Sequence, residues 1–214
     1  MVGATGVRAG AVTMDAAAAS WRDVYRRLVE IVVPRPIALV STVDPGGRPN
    51  VAPFSFFTVV SANPPCLAFA PQLSGRTGAA KDTLRNVEAT GELVVAVVDE
   101  SIAGRVNACS ANLPYGASEF EHSGLTPAPG VRVRPHLVAE SKVNMECELV
   151  EVRRYGDGPG AGCLVVARIV LIHVDPGVLD GDGRVRVEAL RPVGRMGGSL
   201  WVRAVDTFPL PRPE

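Results

Sequence analysis

Two stretches of this chain hold residue types that could do chemistry. In Asn50-Val51-Ala52-Pro53-Phe54-Ser55-Phe56-Phe57, three of the chain's six phenylalanines surround one serine. Read as a strand, the stretch puts Phe54 and Phe56 on one face and Ser55 and Phe57 on the other. Pro53 argues for an edge or a strand start, where backbone groups are free to bind something else. A flat heteroaromatic molecule lying along such a strand would gain ring contacts and backbone hydrogen bonds. Core aromatics in an ordinary hairpin remain the competing reading.

The second stretch is the loop Ser74-Gly75-Arg76-Thr77-Gly78, followed by Lys81-Asp82-Thr83 at a helix start. Glycines let backbone N–H groups converge, and a helix N-terminus adds partial positive charge, so an anion is favoured there. Arg76 and Lys81 would add full charges, and Ser74, Thr77 and Thr83 would add hydroxyl donors. A plain helix cap with Lys81 and Asp82 solvated is the alternative. Together the stretches suggest a ligand with a phosphate at one end and a flat ring at the other; flavin mononucleotide (FMN) is such a ligand.

Other chemistries find little support. Cys66, Cys109, Cys147 and Cys163 are scattered without a C-x-x-C, and His122, His136 and His173 lie far apart, so a structural metal is not expected. The thiols read as free and buried, as in a cytoplasmic protein. Twenty-two basic and 22 acidic residues balance, which offers no global field for nucleic acid or an anionic membrane. The Arg-rich stretches Arg132 to His136 and Arg184 to Arg191 read as solvated strand faces. Residues 1–14 are expected to be a disordered tail, with Met14 as an alternative start, and 15–214 a single domain. No stretch is long and apolar enough to span a bilayer as a helix, and the N-terminus is a poor signal peptide.

The elements that must position these residues are mostly strands. Asp15 opens an expected amphipathic helix ending before Pro34. Ile37 to Val43, the turn Asp44-Pro45-Gly46-Gly47 and the extended Val51 to Ser61 read as a hairpin. Cys66 to Ala70 is a further strand. A helix is expected from about Ala79 to Thr90 with Gly91 as its stop, then a buried strand Leu93 to Val98 and a short helix Ile102 to Cys109. Asn112 to Gly130 reads as a long surface loop or lid. Lys142 to Arg153 alternates, with Met145, Cys147 and Leu149 on one face and Glu146, Glu148 and Val150 on the other. Cys163 to Val174 returns to complete a second hairpin. No G-x-G-x-x-G follows the first strand, so a Rossmann domain is disfavoured and a Greek-key or meander barrel with peripheral helices preferred.

The order of several segments resembles the flavin reductase-like, FMN-binding split-barrel proteins, including flavoredoxin-type members. The segments are Val33-Pro34-Arg35-Pro36-Ile37-Ala38-Leu39-Val40-Ser41-Thr42, then Asn50 to Phe57, Ser61 to Pro65 and Lys81-Asp82-Thr83-Leu84-Arg85-Asn86. Glu119 to Pro127, Val138 to Ser141 and Arg191-Pro192-Val193-Gly194-Arg195-Met196-Gly197-Gly198 complete the series. The resemblance implies a mainly β fold, an antiparallel Greek-key split β-barrel with peripheral α-helices, forming a homodimer with FMN near the interface. By matching positions it implies Asn50, Ala52, Pro53, Phe54, Ser55 and Phe56 beside the ring and ribityl chain. Lys81, Asp82 and Thr83 would serve the phosphate, with Arg76 added on charge grounds. Ser41 and Thr42 would lie near the ribityl chain or phosphate, and Arg195, Met196 and Gly197 would approach from the C-terminal segment. The implied activity is hydride transfer from NADH or NADPH to flavin, with an oxygenase or electron-transfer partner downstream and no catalytic residue required. A flavoredoxin-type electron carrier and a binding module that has lost flavin are the alternatives.

Overall fold

A computed structural model describes residues 10–111, 113 and 117–213. Most regular structure belongs to a seven-stranded antiparallel sheet. Its strands are β2 (Ala38–Val43), β3 (Pro49–Phe54), β4 (Phe57–Ala62), β5 (Pro65–Phe69), β6 (Glu92–Val97), β9 (Val143–Tyr155) and β10 (Gly162–Val174). They are ordered β3-β2-β6-β9-β10-β5-β4. The edge strands β3 and β4 are consecutive in the chain, joined by Ser55 and Phe56 alone, so the sheet must curl until its edges meet. They do not pair with each other along their length. The result is a barrel split along one seam.

Burial follows from the curl. Ala38 and Val40 face an inner core with Phe54, Phe69, Leu93 and Val165. Ile37 and Leu39 face an outer core with Val51, Ile102, Val106 and Phe120. Both faces of β2 are therefore covered, which is why it is buried at every position rather than alternately. Helix α2 (Asp82–Thr90) closes the inner core with Leu84 and Val87. The short helices α3 (Ala103–Ala108) and α4 (Glu119–Ser123) cover the outer one. Strands β1 (Arg35–Pro36), β11 (Val193–Arg195) and β12 (Trp201–Arg203) form a small separate sheet that ties the N-terminal helix α1 (Trp21–Ile31) to the closing segment. Strands β7 (Pro127–Ala128) and β8 (Leu137–Val138) pair with each other, and α5 (Val187–Leu190) precedes β11.

Several expectations are corrected. The first helix starts at Trp21: Asp15 caps only a separate turn through Ala17 N, and Ser20 is the N-cap. Val51 to Ser61 is broken at Ser55–Phe56, and its second half crosses to the opposite edge of the sheet. Helix α2 begins at Asp82, because Lys81 has extended ψ of 159°. Asn112 to Gly130 contains α4 and β7 rather than one long loop; its residues 112 and 114–116 lie outside the described residues, as do 1–9 of the expected tail. Glu146 does not share the exposure of Glu148 and Val150, being fully buried under the 131–133 loop. Arg132 to His136 is loop, and Arg184 to Arg191 leads into α5, so neither is a strand face, although Arg132 and Arg134 are exposed. All four cysteines are free and buried. Among the described residues no helix is long and apolar enough to cross a membrane.

Candidate functional site

The β2–β3 hairpin and α2 meet through a buried polar cluster. Asn50 Nδ2 donates to Thr42 Oγ1 at 3.2 Å and to Thr83 Oγ1 at 3.0 Å, and Asn86 Nδ2 donates to Thr42 Oγ1 at 3.1 Å. All four residues are buried, so these groups pin the first turns of α2 to the hairpin and hold its N-terminus in place. Ser41, one residue away, faces the other side of β2, and its buried Oγ has no hydrogen-bond partner among the described residues.

The N-terminus so positioned is open. Serine side chains cap α1 and α4, but Lys81 supplies no side-chain cap to α2. The first-turn N–H groups of α2 are therefore left for a ligand or water. Loss of water lowers the Lys81 pKa from its ordinary value, although the residue is exposed. Asp82 is engaged by Arg85.

The preceding loop is less open than its glycines suggested. Arg76 N and Thr77 N turn onto Ser74 Oγ at 3.4 and 3.3 Å, and Gly78 N donates to Ser74 O at 2.8 Å. A Cβ on Gly75 would lie 3.0 Å from the Trp21 ring, so this glycine permits close packing of α1. Arg76 itself is exposed.

At the other end of β3 a different group assembles. Phe54 is in the inner core, its ring 5.2 Å from that of Phe69, while Phe56 is half-buried with its ring 6.3 Å from Tyr25. Arg35, only 6% exposed, reaches across this corner. Its Nη1 donates to Val29 O (2.5 Å) and Val32 O (3.1 Å), its Nη2 to Met196 O (3.1 Å) and its Nε to Ser55 Oγ (3.4 Å). Arg195 is its cross-strand partner and lies over the Trp201 ring at 5.2 Å. Gly197 packs so closely on Glu30 that a Cβ there would sit 3.1 Å from that side chain.

Between the ends, β3 is an edge strand with few outward donors. Val51 N–H donates to the Glu119 carboxylate, and Pro49 and Pro53, with the same outward orientation, have none. The outward carbonyls remain as acceptors, with the half-buried Ala52 beside them. Burial pushes the Glu119 carboxyl up, its own N–H and that of Val51 oppose this, and the charge of Asp82 adds to the rise. A small cavity of about 30 Å³ lies here, among Asn50, Asp82, Asn86 and Glu119, and an open groove of about 590 Å³ adjoins it at Pro49 and His122. Asp44, Asp82 and Glu119 line the small cavity together with Arg48, which pairs with Asp44.

The structure thus gathers Thr42, Asn50, Lys81, Asp82 and Thr83 at one end of β3 and Ser55, Phe56, Arg195, Met196 and Gly197 at the other. Five residue steps along the chain carry it from Asn50 to Ser55, about 16 Å. Ser41, Phe54 and Arg76 fall outside both groups. Sequence reasoning missed Arg35, Tyr25, Asn86 and Glu119 as site residues. Asn86 was accessible, since it lies one helical turn after Thr83 on the same face. Arg35 takes two partners from the end of the preceding helix, but Ser55 and Met196 come from distant segments that nothing local announces.

Residues 31–188 match the family model described as a flavin reductase like domain. An uncharacterised protein of Halalkalibacterium halodurans is 40% identical over 198 residues, covering 91% of this chain and 93% of its own length. Nitrilotriacetate monooxygenase component B from Bacillus cereus superposes with a TM-score of 0.89 at 33% identity, covering 95% of this chain and 100% of its own. The 2-nitrobenzoate 2-nitroreductase of Pseudomonas fluorescens gives 0.84 at 28% identity, with 94% and 96% covered. The split barrel therefore sits in a known lineage, and this chain belongs to the flavin reductase-like family.

Proposed function

We propose that this protein binds FMN and accepts hydride from NADH or NADPH, passing the electrons on to a partner such as an oxygenase component. The observation that carries the reading is the uncapped N-terminus of α2 beside Lys81 at one end of β3, with the half-buried Phe56 against Tyr25 and a buried cation at the other. The donor set fits FMN: first-turn N–H groups and Lys81 would take the phosphate, while Phe56, Ser55 and the β3 edge would take the ring. The cofactor, when bound, supplies the redox chemistry.

The chain's own contribution is binding and placement. Lys81 and the α2 dipole neutralise the phosphate. The Thr42–Asn50–Thr83–Asn86 cluster keeps that helix end in register with β3, and the outward carbonyls of β3 orient polar ring edges. Arg195, Met196 and Gly197 border the same corner, where a nicotinamide could approach. The likeness to a monooxygenase component supports an oxygenase as electron acceptor, and a homodimer in the cytoplasm is the assembly this reading assumes.

The test is the visible spectrum of the purified protein with FMN, before and after anaerobic addition of NADH or NADPH. Bleaching of a protein-bound flavin band is the expected result. A band that persists would overturn direct reduction by nicotinamide and leave an electron carrier supplied by another protein. Failure to take up FMN would overturn the flavin reading altogether.

A further inference from the structure

Arg35 presents a charge problem that the fold does not solve. Its guanidinium is more than nine-tenths buried, yet its four hydrogen-bond acceptors are three backbone carbonyls and the Ser55 hydroxyl, all neutral. Besides burial, the groups that act on it are the Tyr25 phenol and a second cation, Arg195, which lies directly across the β1–β11 pair. Like charges opposite one another across a ladder repel. Glu30, on the adjoining helix, is engaged by Arg27 at 3.6 Å. The two carbonyls at the end of α1 offset part of the charge, since a helix C-terminus is worth about half a negative unit. The remainder, and all of Arg195, is left without a carboxylate among the described residues. Buried charges are ordinarily paired.

A ligand that gains negative charge would complete this corner. The phosphate of FMN is assigned to the far end of β3, whereas the Tyr25–Phe56 pair and Ser55 are here, so the group that meets Arg35 is the ring. Hydride brings two electrons and one proton. The nicotinamide that loses it becomes a cation, and the ring that receives it becomes one unit more negative. We propose that Arg35, reinforced by Arg195, is the fixed cation that favours the reduced, anionic ring over the oxidised one. Resting on the FMN reading, the inference makes Arg35 the residue that sets the direction of electron flow. Its partners hold it in place before any charge develops, so no reorganisation is required when the ring is reduced.

The measurement is the midpoint potential of FMN, free and bound to the full-length protein, which gives the ratio of affinities for reduced and oxidised FMN. Wild type, Arg35→Lys, Arg35→Gln and Arg195→Gln are compared. Arg35→Gln is expected to cut the preference for reduced FMN by about tenfold or more, each tenfold being about 30 mV for a two-electron couple. Arg35→Lys should keep most of it, and Arg195→Gln should lose a smaller part. An unchanged ratio in Arg35→Gln overturns the inference while leaving the FMN reading intact, as do equal losses in the Lys and Gln variants, which would point to capping geometry. Should Arg35→Gln fail to fold, an unchanged ratio in Arg195→Gln overturns it. A wild-type protein that binds neither form of FMN removes the flavin reading and this inference with it.

Discussion

Lys81 and Thr83 sit two residues apart at the start of α2 and do different work. Lys81 is the cation beside open N–H groups, whereas the Thr83 hydroxyl is buried against Asn50. Lys81→Ala should weaken FMN by roughly ten- to a hundredfold and riboflavin, which lacks the phosphate, very little. Thr83→Ala should weaken both ligands alike and cost about 1–3 kcal/mol of stability, because Asn50 loses a buried acceptor. Flavin fluorescence titrations and urea denaturation separate the two outcomes. Glu146 is the corresponding structural case. Burial raises its pKa, but His173 Nε2 at 2.6 Å and the N–H groups of Arg132, Val131 and Val133 prevail and hold the carboxyl below its usual range. A depressed folded pKa contributes stability that is present above the unfolded value, about 4.3, and is lost as the pH falls through the folded one. Thermal unfolding followed from pH 7 into acid should therefore show a loss below about pH 4. Glu146→Gln should begin about 1.5–3 kcal/mol less stable at neutral pH and decline less steeply in acid.

At the scale of elements, α2 is the piece on which the site depends. It ends at Gly91 with φ of +70°, and a Cβ there would meet nothing within 4 Å. Gly91→Ala should consequently cost only the left-handed backbone penalty, about 1 kcal/mol, read as a lower urea midpoint with an unchanged slope. The stop signal at Gly91 was legible because glycine alone adopts that conformation freely. The start was not: Ala79 and Ala80 are good helix formers, and only the register enforced by Asn50 and Thr42 makes Lys81 the cap. Strand β3 shows the same division. Pro53 marked an edge strand correctly, but its neighbours Phe54 and Phe56 part company, one to the core and one to Tyr25, because the chain turns at Ser55.

For the whole molecule the curled sheet leaves two edges and an exposed apolar surface. Val59 and Val60 on β4 are 68% and 51% exposed, and Ile31 and Val32 at the C-terminal end of α1 are 63% and 58% exposed. Such surface is characteristic of an interface. Sedimentation equilibrium is expected to give the mass of two chains, and Val60→Lys should weaken association by about tenfold or more. A monomer at all concentrations would remove the homodimer from the proposed function.

The amino-acid sequence by itself determined the strand-rich pattern, the hairpins and the free buried thiols. These depend on local periodicity, turn residues and the order of short motifs, all of which are contained within a few neighbouring residues. Tertiary structure alone decided the seam at Ser55–Phe56, the burial of Glu146 and the placing of Arg35 against Ser55 and Met196. Each of those requires segments far apart in the chain to meet, and the closure of a sheet on itself has no signature in any one of them.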